Sequence, residues 1–246
     1  MEKVVIGTFL EHLDELRRRL WVAVMAFLAG AGVSLFYADR LLELAVAPAK
    51  DQIQTLYFFT PADAFLVKIK LALLSGLFVS SPVILWQLWQ FLAPAMRPSE
   101  RKAMIPFVAI TSALFFAGAA FAFHFVLPVA LKMLVGMQTE LLRPMLSANE
   151  YLSFIGLLLI SFGGAFNLPV FILILAWTGI VNVRMLNQFQ RQAIVLIFIA
   201  AAILTPGPDI ASQLMLAAPL LVLYELSVLG AMMMDSLRRK KEKVLA

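Results

Sequence analysis

No cysteine occurs anywhere in the 246 residues, so disulfides, thiol chemistry and cysteine-held metals are excluded. Histidine is nearly as scarce: His12 and His124 stand far apart and do not suggest a metal centre. The serines at 75, 80, 81, 153, 161 and 212 have only His124 as an intramembrane base, which argues against an intramembrane protease. There is no glycine-rich loop to cradle phosphates, so the chain does not itself hydrolyse ATP. Internal repeats are missing too: Ala47-Pro48-Ala49 and Ala93-Pro94-Ala95 echo each other over only three residues. Many secondary transporters carry repeated halves, so this absence weighs against that class. The last scarcity is charge, at 14% of residues, where a soluble domain has about a quarter.

What fills the chain instead is apolar. Hydrophobic residues make up 62%, with a mean hydropathy of +0.92. The apolar residues come in long runs rather than in the alternation of a membrane barrel. A segment inside lipid must satisfy its own backbone polar groups, which makes the class all-α and the protein a polytopic membrane protein. The net charge of +5 is explained by charges at helix ends and in loops, with no nucleic-acid partner implied.

Residues 1–20 read as an amphipathic surface helix, with Phe9, Leu13, Leu16 and Leu20 recurring at steps of three and four. A cleaved signal peptide is disfavoured by four acidic residues among the first fifteen. Six spans follow within residues 21–234: Trp21–Tyr37, Phe65–Leu92, Ile105–Leu131, Tyr151–Trp177, Gln192–Leu204 and Ile210–Met234. Residues 235–246 form a basic tail. Kinks are expected at Pro82 and Pro128, a break around Gly163, Gly164, Asn167 and Pro169, and an interfacial aromatic belt at Trp86 and Trp89. The stretch 179–191 reads as a loop, leaving a fifth span of only 13 residues, short of the ~20 that cross the hydrocarbon. Six crossings put both termini on one side. That side carries fourteen Lys and Arg against six on the other, which places both ends in the cytoplasm.

The organising stretch is His12-Leu13-Asp14-Glu15-Leu16-Arg17-Arg18-Arg19-Leu20, pressed against the first span. Glu15 and Glu100 both fall in cytoplasmic segments beside basic residues. They have two readings. A pair of carboxylates at a membrane surface can clamp guanidiniums through forked hydrogen bonds. Alternatively, Glu15 pairs with Arg19 one turn on, and Glu100 is a solvated loop charge. Glu225 in the sixth span is either a functional carboxylate or one held by a neighbouring helix. Asn167 beside Pro169 is best read as satisfying backbone groups that proline frees. Thr205, Ser212 and Gln213 either bond a partner helix or cap the turn between the last two spans.

Several ordered motifs carry a family resemblance over residues 8–236: HLDELRRRL at 12–20, SPVILWQLWQFLAPAMRPSERK at 81–102, FNLPV at 166–170 and LTPGPDIASQ at 204–213. The chain resembles TatC, the receptor subunit of the twin-arginine protein translocase. The resemblance implies a six-span protein of the cytoplasmic (inner) membrane, embedded in lipid and self-associating, with no cofactor and no enzymatic activity. It implies that Glu15 and Glu100 bind the paired arginines of signal peptides on folded export substrates, with Arg17 and Phe91 in the same site. It makes Pro48 and Asp209 important outer-side positions. It makes Thr205, Gln213 and Asn167 contacts for single-span TatA or TatB partners, and it implies transport driven by the proton-motive force. Asn167 stands where the family often carries glutamate or its amide; its shorter amide cannot be charged but can still hydrogen-bond a partner helix. The rival reading is a proton-coupled small-solute transporter using Glu225. A third is a scaffold that tolerates change at both glutamates.

Overall fold

The structure, a computed structural model, describes residues 2–50, 55–92, 104–136, 145–178, 181–204 and 210–245. Among them the helices are α1 (Glu2–Phe36), α2 (Ala38–Val46), α3 (Asp63–Leu92), α4 (Met104–Phe121), α5 (Leu127–Gly136), α6 (Ala148–Phe166), α7 (Leu168–Thr178), α8 (Val183–Leu204) and α9 (Ile210–Leu245). A 3-10 turn, Ala47–Ala49, follows α2, and a π-turn, Ala122–Val126, joins α4 to α5. Among the described residues, six stretches are long and apolar enough to cross a membrane: Glu11–Phe36, Asp63–Phe91, Ile105–Met133, Ala148–Ala176, Arg184–Ile203 and Leu216–Met233. Their outward apolar side chains, such as Leu20, Trp21 and Met25 on α1, are exposed because lipid rather than water covers them.

The chain divides into two compact units, one of residues 1–47 and 58–113, the other of 48–57 and 114–246. In the first, α1 packs along α3 at very close range. A Cβ on Gly76 would lie 2.4 Å from the backbone nitrogen of Ala31, so only glycine lets the two backbones approach this far. The N-terminal segment and the first span form one unbroken helix, α1, rather than two. Lys68 of α3 pairs with Asp39 of α2 at 2.8 Å. Asp63 opens α3 by accepting from the backbone N–H groups of Phe59 (2.9 Å) and Thr60 (3.0 Å).

Helix α3 continues through Pro82. Proline lacks the N–H that would bond the carbonyl four residues back. The Ser81 hydroxyl donates to that carbonyl, of Phe78, at 2.8 Å, and the helix runs on. Trp89 does not join a lipid-facing belt. It is 4% exposed, and its indole N–H donates to Thr111 of α4 at 3.1 Å. A buried indole needs such a partner, and Thr111 supplies it.

In the second unit, Pro128 acts through the turn before it. The Leu127 N–H reaches back five residues to Ala122, and this wider turn accommodates the proline that follows. Phe121 packs on Phe125, Phe162 and Phe166, with centroids 5.5, 6.0 and 5.7 Å away. The fourth span breaks at Asn167, between α6 and α7, and not at Gly163 or Gly164, which stay helical. The segments before α3 and α6 meet: the Tyr57 N–H donates to the Leu146 carbonyl and the Tyr57 carbonyl accepts from the Ala148 N–H, both at 3.0 Å.

The fifth span requires a correction. Helix α8 has 22 residues, from Val183 to Leu204. The polar stretch through Arg184, Gln188 and Arg191 is helix, not loop, and Asn182 caps it by accepting from the Met185 N–H at 2.8 Å. Arginine, glutamine and methionine are good helix formers, so polarity there marks the membrane edge rather than the helix end. The tail likewise continues α9 to Leu245. Leu186, Tyr224, Val228 and Ala231 form the core between α8 and α9, and the Tyr224 hydroxyl donates to the Leu186 carbonyl at 3.0 Å.

Candidate functional site

Helix α1 carries His12, Glu15 and Arg19 at steps of three and four, so all three lie on one face. That face meets the last turns of α3. His12 stacks on Phe91, with ring centroids 4.5 Å apart and planes 16° apart. Arg19 lies between the helices. Its Nε donates to Glu15 Oε1 at 3.1 Å, its Nη2 donates to the same oxygen, and its Nη1 donates to Gln90 Oε1 at 2.5 Å. The other carboxylate oxygen of Glu15 lies 3.7 Å from His12 Nδ1. Beside this network opens a cavity of about 570 Å³, lined by Asp14, Glu15, Arg18, Arg19, Val22, Gln87 and Gln90.

The Glu15 side chain is 33% exposed and that of Arg19 20%. The pairing with Arg19 one turn on therefore exists, but it does not close the carboxylate off. The cavity lining is polar along its α3 side, where Gln87 and Gln90 supply amides, and apolar at Val22. Such a lining can hold a forked cation and an adjoining apolar group.

Of the expected site residues, Glu15 lines the cavity, while Phe91 is not among the lining residues and stacks on His12. Arg17 is exposed and is not among the lining residues. Two residues along a helix is a turn of about 200° from Glu15, which points it away. Glu100, Thr205 and Asp209 lie outside the described residues. Pro48 is half-buried in the 3-10 turn, next to the fully buried Ala49. Gln213 of α9 donates to the Phe198 carbonyl of α8 at 2.9 Å. Asn167 donates to the Gly163 carbonyl at 3.3 Å, while its buried side-chain oxygen has no partner. Glu225 is exposed and accepts from Gln190 of α8 at 2.7 Å. Arg19 and Gln90 join the site although the sequence alone does not mark them as site residues. The i to i+4 spacing marked Arg19 only as a partner, and nothing local to Gln90 tells which helix it faces.

The sequence matches a family model described as Sec-independent protein translocase protein (TatC) over residues 11–219. A relative of that name from Carboxydothermus hydrogenoformans is 39% identical over 221 residues, 90% of this chain and 91% of the relative. Another from Aquifex aeolicus is 38% identical over 237 residues, 94% of this chain and 97% of the relative. A crystal structure of a twin-arginine translocase receptor, TatC, matches with a TM-score of 0.82 at 37% identity, covering 90% of this chain and 98% of that one. None of these similarities supports the solute-transporter reading.

Proposed function

The chain belongs to the TatC family of Sec-independent protein translocase proteins, a receptor family and not an enzyme family, and on that premise we propose how its parts serve the receptor. Substrates present a signal peptide with two adjacent arginines followed by an apolar run. One guanidinium pairs with Glu15 in the cavity between α1 and α3, and the other with Glu100. Phe91 shapes the edge of the site, and Arg17 serves it from outside the cavity. The apolar run packs against the apolar faces of the spans. Lysine keeps the charge but loses the fork, so Lys-Lys signals bind worse.

The observation that carries this reading is the open cavity with Glu15 on its wall. The chain is a multi-pass membrane protein. The excess of Lys and Arg on one side, fourteen against six, puts the N-terminal segment and the tail in the cytoplasm, where signal peptides arrive. The membrane is then the inner, cytoplasmic one. Residues 1–20 form the cytoplasmic amphipathic start of α1, 21–234 form the membrane domain, and 235–246 form a basic tail. Single-span TatA or TatB subunits dock near Thr205, Gln213 and Asn167, several copies of the receptor assemble, and the proton-motive force drives transport. Pro48 and Asp209 shape the outer side.

The test is capture of a synthetic twin-arginine peptide by membranes carrying Glu15→Ala or Glu100→Ala chains. A loss of about tenfold or more in each is expected, the order of magnitude of a charge-assisted pair. Unchanged capture by both variants would reject the assigned roles.

A further inference from the structure

The wall of the cavity is already charge-balanced. Asp14 and Glu15 are matched by Arg18 and Arg19, and Arg19 spends two of its donors on one oxygen of Glu15. A dicationic peptide therefore meets no net negative charge on these walls. One of the two carboxylate oxygens it needs, Oε1 of Glu15, is held by a group of the same chemistry as its own. Arg19 is also tethered from the other helix, by Nη1 to Gln90 of α3. If its bonds to Glu15 break, that third bond keeps the guanidinium beside α3 rather than releasing it into the cavity.

We propose that Arg19 is an internal stand-in for the peptide's arginine, that it occupies Glu15 until a guanidinium displaces it, and that Gln90 keeps hold of it when displaced. The Oε1 oxygen of Glu15 then never stands in the site unpaired. The exchange replaces one Arg–carboxylate pair by another, so its net cost is small. Weak or adventitious cations must still compete with a resident fork. This rests on the assignment of Glu15 as a peptide-binding group.

An internal competitor has a quantitative signature. It occupies the same oxygen whichever ligand competes, so it lowers the affinity for every cationic ligand by one common factor. A residue that merely positioned Glu15 would behave oppositely. Its loss would weaken binding, and would weaken an arginine fork more than a lysine point charge, because the fork depends on the orientation of the carboxylate.

The experiment uses the full chain in lipid nanodiscs and two fluorescent synthetic peptides, alike except that one carries Arg-Arg and the other Lys-Lys before the apolar run. Arg19→Gln is expected to raise the affinity for both peptides by the same factor, roughly two- to five-fold, the range that partly exposed ion pairs are worth. Arg19→Lys keeps the charge without the fork and is expected to give a smaller gain, again equal for the two peptides. If Arg19→Gln does not fold, the gain in Arg19→Lys alone decides. A fall in affinity, no gain, or a change in the ratio between the peptides overturns the proposal. Glu15→Gln separates the two ideas. If it binds both peptides as well as the unmodified chain does, the assignment of Glu15 itself fails. If it loses them while the Arg19 variants gain nothing, only the stand-in role fails.

Discussion

His12 lies flat against Phe91, with the two rings 4.5 Å apart and within 16° of parallel. One ring comes from α1 and the other from the final turn of α3, so the stack pins the end of the groove in which Glu15 sits. Glu15 is three residues from His12, and Gln90 is next to Phe91. The stack therefore sets the spacing that the Arg19 bridge must span.

The first prediction concerns that stack. Phe91→Ala removes the ring, and stacked aromatic pairs contribute about 0.5–1.5 kcal/mol beyond their buried area. Affinity for a twin-arginine peptide should fall by about three- to ten-fold, while Phe91→Tyr, which keeps the face, should stay within about two-fold. Fluorescence titration of the purified chain measures both. An undiminished Phe91→Ala affinity would mean the stack is incidental to the site.

Packing of α1 on α3 gives the second. A methyl group on Gly76 would sit 2.4 Å from the Ala31 nitrogen, while one on Gly32 meets nothing within 4 Å. Gly76→Ala forces two backbones apart and should cost about 1–3 kcal/mol, the usual range for overpacking. Gly32→Ala should be neutral or slightly stabilising, since alanine is the better helix former. Thermal unfolding in detergent distinguishes them, and equal melting temperatures would refute the close approach.

Proline and serine in α3 make a coupled pair. Ser81→Ala should cost about 1 kcal/mol, because the Phe78 carbonyl loses the donor that replaces the missing proline N–H. Pro82→Ala restores a backbone donor to that carbonyl, so Ser81→Ala should cost nothing in the Pro82→Ala background. The double-mutant cycle is read from denaturation midpoints. Strictly additive effects would show that the hydroxyl is not compensating for the proline.

How far these features could be read from the chain depends on whether they are local. Six apolar runs are visible because hydropathy is a sum over neighbours, and the Glu15–Arg19 pair is visible because helical spacing brings i and i+4 together. The start of α8 was hidden. Arg184 to Gln192 is polar, and polarity looks the same in a helix leaving the membrane as in a loop. Trp89 misleads for the complementary reason: an indole near the end of a span suits a lipid interface, and only the position of Thr111, 22 residues on, turns it inward. The Gln90 bond to Arg19 joins residues 71 apart in the chain. No periodicity in either helix records which faces meet.

Glu225 supplies the last prediction, because its chemistry separates a structural carboxylate from a proton carrier. It accepts one hydrogen bond, from Gln190 of α8, at 2.7 Å. A glutamine at 225 offers a carbonyl oxygen of nearly the same shape and keeps that bond, but it cannot take up or release a proton. Leucine removes the acceptor and leaves the Gln190 amide without its partner. If Glu225 ties α9 to α8, Glu225→Gln should leave export of a twin-arginine reporter protein unchanged, and Glu225→Leu should lower the melting temperature. If it carries protons, Glu225→Gln should abolish export while the melting temperature stays put. Parallel measurements of reporter export in cells and thermal unfolding of the purified chain therefore decide between the two roles.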